Sequence, residues 1–290
     1  MVIDLRKLID CIEKFSPPRL AVPYDCVGIQ VGPRNFAVQE RTKIRKCAIT
    51  RYPTPQAIAR ATRDGANAII AYQGILSHPV KIITDGLLDK IRLLIENKIA
   101  LYVVHTSWLS AECGVNDTFA EILGLVVVEP FNLRAKGKSF PIGRVCAFGK
   151  SPAHGVSTSG SSVCLSDFVG MVSHRLTTQE INFVGGSQCL VRKILLLTGE
   201  YGEANLLRLA KSIDVDTFVT GNISRGVAVL ASELGMNYVC VSQDLVESLG
   251  MRRLMQLLSI DAPEVEFSYI ESGLLWKKYD STRLLTSREI

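Results

Sequence analysis

Short apolar runs alternate with amphipathic stretches along the chain, and one such alternation occurs twice. In residues 41–74 a basic pair precedes the apolar run 47–49, which is followed by a turn, a helical pattern and a second apolar run at 68–72. Short apolar runs separated by a helical pattern of about ten residues indicate a βαβ unit. The right-handed crossover of such a unit places both strands in one parallel sheet.

The same order of basic pair, apolar run, helical pattern and apolar run returns in residues 190–224. Lys193 of the second basic pair follows Lys46 of the first by 147 residues, about half the chain. The repetition predicts an α/β protein built from two similar, duplicated domains. Residues 1–127 are the first predicted half, which the C-terminal segment can complete, and residues 128–290 are the second.

The composition indicates a folded protein with a large core, since 47% of the 290 residues are hydrophobic and 21% are charged. The net charge of +5 comes from scattered basic residues, which favours ordinary solvated faces over a nucleic-acid surface. Eight cysteines without a C-x-x-C pair indicate reduced thiols. No apolar run approaches the roughly 18 residues of a membrane span, and the N-terminus does not resemble a signal peptide, so we expect a cytoplasmic protein.

Polar side chains stand at the carboxyl ends of several predicted strands: Tyr72 and Gln73, then His105, and in the second half Gln243 and Asp244. Parallel strands place active groups at their C-terminal ends, where loops converge. We therefore expect Tyr72, Gln73 and His105 to face a common crevice.

Other chemical signatures are absent from the sequence. It contains no G-x-x-x-x-G-K-[ST], no G-x-G-x-x-G and no G-x-S-x-G, and its four histidines allow few Ser-His-Asp or Cys-His sites. The Ser/Gly-rich stretch 151–162 is too poor in apolar residues for a core and predicts a mobile surface loop. No motif identifies a ligand.

Four strings carry a family resemblance: YDCVGIQVG at 24–32, a strand ending in His105-Thr106 followed by GVND at 114–117, VTGNI at 219–223, and GMN at 235–237. In this order they resemble the NGG-interacting-factor-three-like proteins. That family is also known as the dinuclear-metal-centre proteins and the type 2 GTP cyclohydrolase homologues. The likeness runs over most of the chain.

The resemblance implies two similar α/β domains with an inter-domain cleft and assembly into a toroidal hexamer. In the family this cleft holds two divalent metals, bound by an adjacent pair of histidines, an aspartate, a further histidine and a glutamate. At the matching positions this sequence has Tyr72, Gln73, Leu109, Gln243 and Glu247. Four of the five implied ligands are therefore replaced.

Two divalent ions need several anionic or imidazole donors, which a phenol, two amides and a leucine do not supply. The sequence therefore predicts a degenerate site without a metal cofactor. His78, His105 and Asp244 are the substitutes within reach, which leaves open a single zinc, manganese or iron ion held by Glu247, His105 and one other group. Otherwise His105 is a hydrogen-bonded imidazole at a strand end, Glu247 an acid in the first turn of a helix, and Asp25 a loop-fixing acceptor of backbone N–H groups.

Three functions remain open at this point. The leading hypothesis is a non-catalytic, homo-oligomeric binding or scaffold protein, with a hexamer as the implied assembly and an unidentified small molecule as the ligand. The first alternative is a metal-dependent hydrolase of the GTP cyclohydrolase type 2 kind with a rearranged site. The second is a nucleic-acid-associated protein, which the positive charge allows.

Overall fold

A computed structural model describes residues 2–78, 80–149, 162–199 and 204–272. Its α-helices are α1 (Leu5–Phe15), α2 (Phe36–Arg41), α3 (Pro55–Arg63), α4 (Asp85–Glu96), α5 (His105–Ser110), α6 (Val115–Leu123), α7 (Leu165–Leu176), α8 (Ala204–Ser212), α9 (Arg225–Glu233) and α10 (Gln243–Asp261), and a 3-10 helix spans Pro18–Leu20. Its strands are β1 (Ile3–Asp4), β2 (Gly28–Val31), β3 (Lys43–Ile44), β4 (Lys46–Thr50), β5 (Ala68–Ala71), β6 (Ala100–Val103), β7 (Val126–Ala135), β8 (Lys138–Ala147), β9 (Val163–Cys164), β10 (Asn182–Val184), β11 (Leu190–Val191), β12 (Lys193–Leu197), β13 (Thr217–Thr220), β14 (Asn237–Cys240) and β15 (Glu266–Tyr269).

The first large sheet has the strand order β15-β4-β5-β6-β2, in which only β2 runs antiparallel to its neighbour. Its centre is the βαβ unit β4-α3-β5, predicted from the first apolar repeat. Thr54 begins α3 by accepting a hydrogen bond from the backbone N–H of Ala57 at 3.1 Å, and Pro55 occupies the first helical position, where its missing N–H costs nothing.

The second large sheet has the order β10-β14-β13-β12-β8-β7. The unit β12-α8-β13 and the next strand β14 are parallel, while β10, β8 and β7 are antiparallel to their neighbours. The two sheets thus share a parallel βαβ core and differ in the strands added around it. Two further pairs, β1 with β3 and β9 with β11, form small separate ribbons.

The hairpin of β7 and β8 corrects one part of the predicted organisation. Its turn consists of Lys136 and Gly137, both with positive φ (49° and 72°), the geometry of a two-residue turn that follows the twist of its strands. The predicted division between residues 127 and 128 falls inside β7, which lies wholly in the second sheet. A division of the chain at this point would have to precede Val126.

One large core lies between the two sheets. It contains side chains of five helices together with inward residues of both sheets, and its larger members include Ile12, Trp108, Phe119, Phe168 and Met251. Smaller cores cover the outer faces of the sheets, one beneath α3 and α4 and the other beneath α8 and α9. The two halves are therefore joined through a continuous apolar interior rather than a linker.

Asn116, from the string GVND, ties the helices of this interior to the second sheet. Its buried amide donates to the carbonyls of Leu109 at 3.3 Å and Ile142 at 2.7 Å, and its Oδ1 accepts from the backbone N–H and the hydroxyl of Thr198 at 3.2 and 3.0 Å. A buried amide with its donors and acceptor used in this way specifies one packing arrangement.

No helix in the described ranges is both long and apolar enough to cross a lipid bilayer. All eight cysteines lie in those ranges, and each has a free thiol. The predicted Ser/Gly-rich loop at 151–162 lies outside the described residues, apart from Ser162.

Candidate functional site

A cleft of about 960 Å³ opens where the carboxyl ends of parallel strands from both sheets meet. The first sheet contributes Tyr52 and Gln73, which follow β4 and β5. The second sheet contributes the segments after β13 and β14, and the beginning of α10 and the end of α7 complete the wall. Side chains that line the cleft with amide, hydroxyl or carboxylate groups are Gln73, Thr177, Thr178, Glu180, Asn182, Asn222, Ser242, Gln243 and Asp244.

Gly221 allows α10 to approach the end of β13. A Cβ atom at this position would lie 2.8 Å from Cβ of Gln243 and 2.9 Å from its Cα, closer than carbon atoms pack. The glycine of the string VTGNI is thus explained by the close approach of a helix. It sets the position of Gln243, whose side chain lines the cleft.

Glu247 lies one helical turn after Gln243 and is only 1% exposed. Gln243 Nε2 donates to Glu247 Oε1 at 2.7 Å, and Glu247 Oε2 has no hydrogen-bond partner in the described part of the chain. Burial raises the pKa of Glu247 to about 7, against the opposing effects of the Gln243 hydrogen bond and the charges of Arg51 and His105. Glu247 belongs to the second turn of α10, so the expectation of an acid in the first turn is wrong.

Asp244 is in the first turn of α10 and pairs with the buried guanidinium of Arg51 through Nη1. Arg51 directly follows β4, so this ion pair joins the first sheet to the helix that carries the cleft residues. The carboxylate of Asp244 is consequently neutralised by a charge that belongs to the protein itself.

Asp25 is the acceptor at the centre of a second polar group. Its Oδ1 lies 2.8 Å from His105 Nδ1, and its Oδ2 accepts the backbone N–H of Thr106 at 3.0 Å and the Thr106 hydroxyl. Burial acts to raise the pKa of Asp25, but the hydrogen bonds from His105 and Thr106 hold it below its usual value. The ionised carboxylate thus holds the start of α5 against the loop before β2.

The backbone around this carboxylate is unusual at two residues. Tyr24 has φ 74° and His105 has φ 27°, and neither is glycine. A positive φ costs free energy for residues with a Cβ atom, so the surrounding contacts must hold both in place. The Tyr72 ring meets the His105 ring edge to face at 5.4 Å between centroids, and the Tyr72 carbonyl accepts the His105 N–H at 2.9 Å.

The structure brings some of the predicted site residues together and separates others. Tyr72 contacts His105, and Gln243 contacts Glu247, whereas Gln73 lines the cleft wall. Asp25 and Asp244 hold the contacts described above, whereas Leu109 and His78 take part in none of them. Leu109 is buried in the core between the sheets, and His78 is on an exposed loop, where its Nδ1 lies 2.9 Å from the Ser77 hydroxyl.

The donor set does not fit a dinuclear metal centre. Among the described residues, no three side chains of His, Cys, Asp or Glu type are grouped as a metal would require. Asp25 already binds His105 and Thr106, Asp244 already pairs with Arg51, and Leu109 offers no donor atom. Gln73, Gln243 and Tyr72 are neutral ligands, which cannot balance the charge of two divalent ions.

Two residues that shape the site escaped prediction. Arg51 follows β4 at the same edge as Gln73, so its position at a strand end was a usable signal. Gln30, from the string YDCVGIQVG, accepts from the N–H groups of Ile75 at 2.9 Å and Leu76 at 3.1 Å, and so fixes the loop after Gln73. Periodicity gives no sign of such a contact, because the partners are 45 and 46 residues away.

Known proteins share both the sequence pattern and the fold. The family model Duf34/NIF3 (NGG1p interacting factor 3) matches residues 3–273. A protein of Methanocaldococcus jannaschii named GTP cyclohydrolase 1 type 2 homolog is 26% identical over 258 residues, which cover 88% of this chain and 94% of that protein. A Clostridium perfringens protein of the same name is 28% identical over 241 residues, which cover 81% and 83% of the two chains.

The solved structure of reduced HcgD from Methanocaldococcus jannaschii is similar with a TM-score of 0.75 and 23% identity, and covers 93% of this chain and 98% of its own. At this identity the likeness shows a common fold. The family resemblance of the sequence is confirmed by the match over nearly the whole chain. The chain belongs to the Duf34/NIF3 family.

Proposed function

We propose that this protein is a homo-oligomeric binding protein whose cleft takes a small polar organic molecule without a dinuclear metal centre. One observation carries the proposal: two carboxylates beside the cleft are already bound to other side chains of the protein. Asp244 pairs with Arg51, and Asp25 binds His105, so the carboxylates that a metal would need are already engaged.

The cleft lining supports a neutral polar ligand. Gln73, Asn222 and Gln243 each offer an amide donor and an amide acceptor, and Ser242 and Thr178 offer hydroxyl groups. Such groups recognise both hydrogen-bond donors and acceptors on a ligand. The volume of about 960 Å³ lies at the upper end of the range usual for small-molecule sites.

Self-association is supported by an apolar surface around α4. Ile82 and Ile95 are 75% and 62% exposed, and Ile83 and Leu88 are exposed as well. Contiguous apolar side chains on a surface mark interaction sites. The helix α4 also carries both acidic and basic residues, so a second copy packed on it could add opposite charges to the apolar contacts. A hexamer is the assembly that the family resemblance suggests.

A metal-dependent hydrolase is the second candidate, because the curated relatives carry the name GTP cyclohydrolase 1 type 2 homolog. In this reading Glu247 and His105 would hold one divalent ion. The unpartnered Oε2 of Glu247 is the observation that favours it.

Metal analysis separates the two candidates. Protein purified without chelator is divided into two portions. Elemental analysis of the first counts its metal ions. Native mass spectrometry of the second detects a bound molecule, and denaturation then releases that molecule for mass measurement. The binding proposal expects far less than one transition metal per chain and a released organic molecule, which the Gln243→Ala variant binds less well. The Ile260→Ala variant, changed at an exposed position of α10, is the control. One or two metal ions per chain, lost in Glu247→Gln, would overturn the proposal in favour of the hydrolase.

A further inference from the structure

The described lining of the cleft contains carboxylates but no cationic side chain. Glu180 and Asp244 line it, whereas none of its lining residues within the described ranges is lysine, arginine or histidine. Arg51, the partner of Asp244, is buried and does not line the cleft. A phosphate or carboxylate that enters here would give up its water without meeting a cationic side chain. The lining therefore disfavours anionic ligands.

The amino end of α10 forms part of the same wall and would by itself attract an anion. Protein groups already occupy this helix end. The Ser242 hydroxyl accepts the backbone N–H of Leu245 at 3.4 Å, and Asp244 places a carboxylate in the first turn. Because the helix dipole is compensated in this way, it adds little attraction for an anionic ligand.

Side-chain amides line the cleft from both sheets. Gln73 follows β5, Asn182 begins β10, and Asn222 follows β13. An amide presents a donor and an acceptor side by side, and a hydroxyl group both donates and accepts, so one amide can bind two neighbouring hydroxyl groups. Tyr52 adds an aromatic ring to the lining, against which C–H groups can pack. This lining suits a ligand that carries several hydroxyl groups on a carbon frame.

Thr177 ends α7 in a strained conformation and lines the cleft. Its φ of 51° and ψ of 46° are left-handed, which is an outlier for a β-branched residue. Glycine is the usual residue at this place, as at Gly124 after α6, where φ is 69°. Residues held in such conformations cluster at ligand sites. The strain at Thr177 indicates that its side chain contacts a ligand.

We propose that the cleft binds a neutral molecule of the sugar class and rejects the phosphate esters of the same sugars. The inference rests on the proposed binding function and specifies its ligand. The amides of Gln73, Asn182 and Asn222 bind pairs of neighbouring sugar hydroxyl groups. The hydroxyl of Thr177 adds a further hydrogen bond, and the ring of Tyr52 packs against C–H groups of the sugar. The described lining supplies no cation to bind a phosphate ester.

Three matched pairs of probes test the preference for a neutral ligand: D-glucose and D-glucose 6-phosphate, D-galactose and D-galactose 6-phosphate, and D-ribose and D-ribose 5-phosphate. Saturation-transfer NMR with millimolar probe detects binding, and calorimetric titration gives the dissociation constant. At least one neutral sugar should bind, and its phosphate ester should bind at least severalfold more weakly. The proposal is overturned if no neutral sugar binds, or if the esters bind as tightly as the sugars.

Asn222→Ala tests whether the sugar binds in the cleft. The variant loses an amide but keeps the backbone carbonyl that accepts the Tyr238 hydroxyl at 2.7 Å, so it should fold normally. It should weaken binding of the neutral sugar severalfold, whereas Ile260→Ala, at an exposed position of α10, should not. Unchanged binding in Asn222→Ala would show that the sugar binds elsewhere and would contradict the proposal.

Thr177→Gly separates a ligand contact from a structural role. It removes the hydroxyl and the strain together, so it should raise the melting temperature and weaken sugar binding severalfold. Lys98→Gly is the matched control, because Lys98 also has a positive φ, 54°, and lies outside the cleft. It should raise the melting temperature and leave binding unchanged. Sugar binding that survives Thr177→Gly at full strength would contradict the assigned contact.

The outcome for the ligand is separable from the outcome for the proposed function. If the organic molecule released from the purified protein is an anion without neighbouring hydroxyl groups, the binding function stands and the sugar assignment is wrong. One or two metal ions per chain, lost in Glu247→Gln, would remove both.

Discussion

Arg144 binds Asp117 through two parallel hydrogen bonds, from Nε to Oδ1 at 2.7 Å and from Nη2 to Oδ2 at 2.9 Å. The arginine is in β8 and the aspartate in α6, so the pair joins the second sheet to the helices between the sheets. The guanidinium also donates to four backbone carbonyls. Asp117 supplies the negative charge that makes this buried cation tolerable.

Asp117→Asn should lower the free energy of unfolding by about 3 kcal/mol, because it leaves the buried Arg144 charge without a counter-ion. Urea denaturation at neutral pH measures the change. Asp64→Asn is the control, since its partner Arg60 is exposed, and it should change stability far less than Asp117→Asn does. Equal effects of the two substitutions would show that the buried pair has no special importance.

Glu247→Gln should stabilise the protein at alkaline pH and have little effect at acidic pH. The folded-state pKa of Glu247 is about 7, above its ordinary value near 4.5, so the fold favours the neutral form. Its contribution to stability is complete below pH 4.5 and is lost as the pH rises to 7. One pKa unit corresponds to about 1.4 kcal/mol. The free energy of unfolding of Glu247→Gln, relative to that of wild type, should therefore rise by about 2 to 3 kcal/mol from about pH 5 to about pH 8.

Denaturation curves of both proteins across this pH range test whether the stability difference between Glu247→Gln and wild type grows as the pH rises. Glu96→Gln, at an exposed position of α4, should follow wild type throughout. A difference between Glu247→Gln and wild type that stays constant with pH would show that Glu247 is ionised in the folded protein over the whole range.

Leu109→Asp should lower the free energy of unfolding by on the order of 3 to 5 kcal/mol, because it places a carboxyl group in the core between the sheets. Leu109→Met keeps the volume and should cost less than about 1.5 kcal/mol. Zinc should not raise the melting temperature of Leu109→Asp. Zinc should raise the melting temperature of the variant that also carries Tyr72→His, Gln73→His and Gln243→His, and so recover part of the stability that Leu109→Asp removes. If this variant folds and zinc leaves it unchanged, the cleft has been reshaped for another ligand.

The double variant Ile82→Asp, Ile95→Asp should reduce the oligomer to smaller species without lowering the stability of the subunit, because both side chains are exposed in the isolated chain. Light scattering at micromolar concentration gives the mass. Ile260→Asp introduces the same charge at a residue that is 79% exposed on α10, and should leave the mass unchanged. A wild-type monomer would remove the basis of the oligomer proposal.

Periodicity was sufficient for the centres of the two sheets. The βαβ units around α3 and α8 follow from apolar runs and a helical pattern of the expected lengths, and both form parallel pairs. The edges were less predictable, because β7 alternates only partly and contains Pro130 within a strand. Its pairing is fixed by the turn at Lys136 and Gly137, whose positive φ values the sequence indicated only weakly.

The candidate site was predictable as a location and not as a set of contacts. Strand ends pointed to Tyr72, Gln73 and Gln243. The ion pair of Arg51 with Asp244 joins residues 193 positions apart, and no local pattern predicts it. The burial that raises the pKa of Glu247 likewise depends on packing between distant segments.

Strand β15 pairs with β4 through Glu266 and Lys46, 220 positions apart, and thereby covers an edge of the first sheet. During synthesis on the ribosome β4 leaves the exit tunnel long before β15 exists. A nascent chain therefore carries an open parallel edge through most of translation, and such an edge is a template for wrong pairing. Premature termination before residue 266 should yield an aggregating product even though every residue of the cleft has been made.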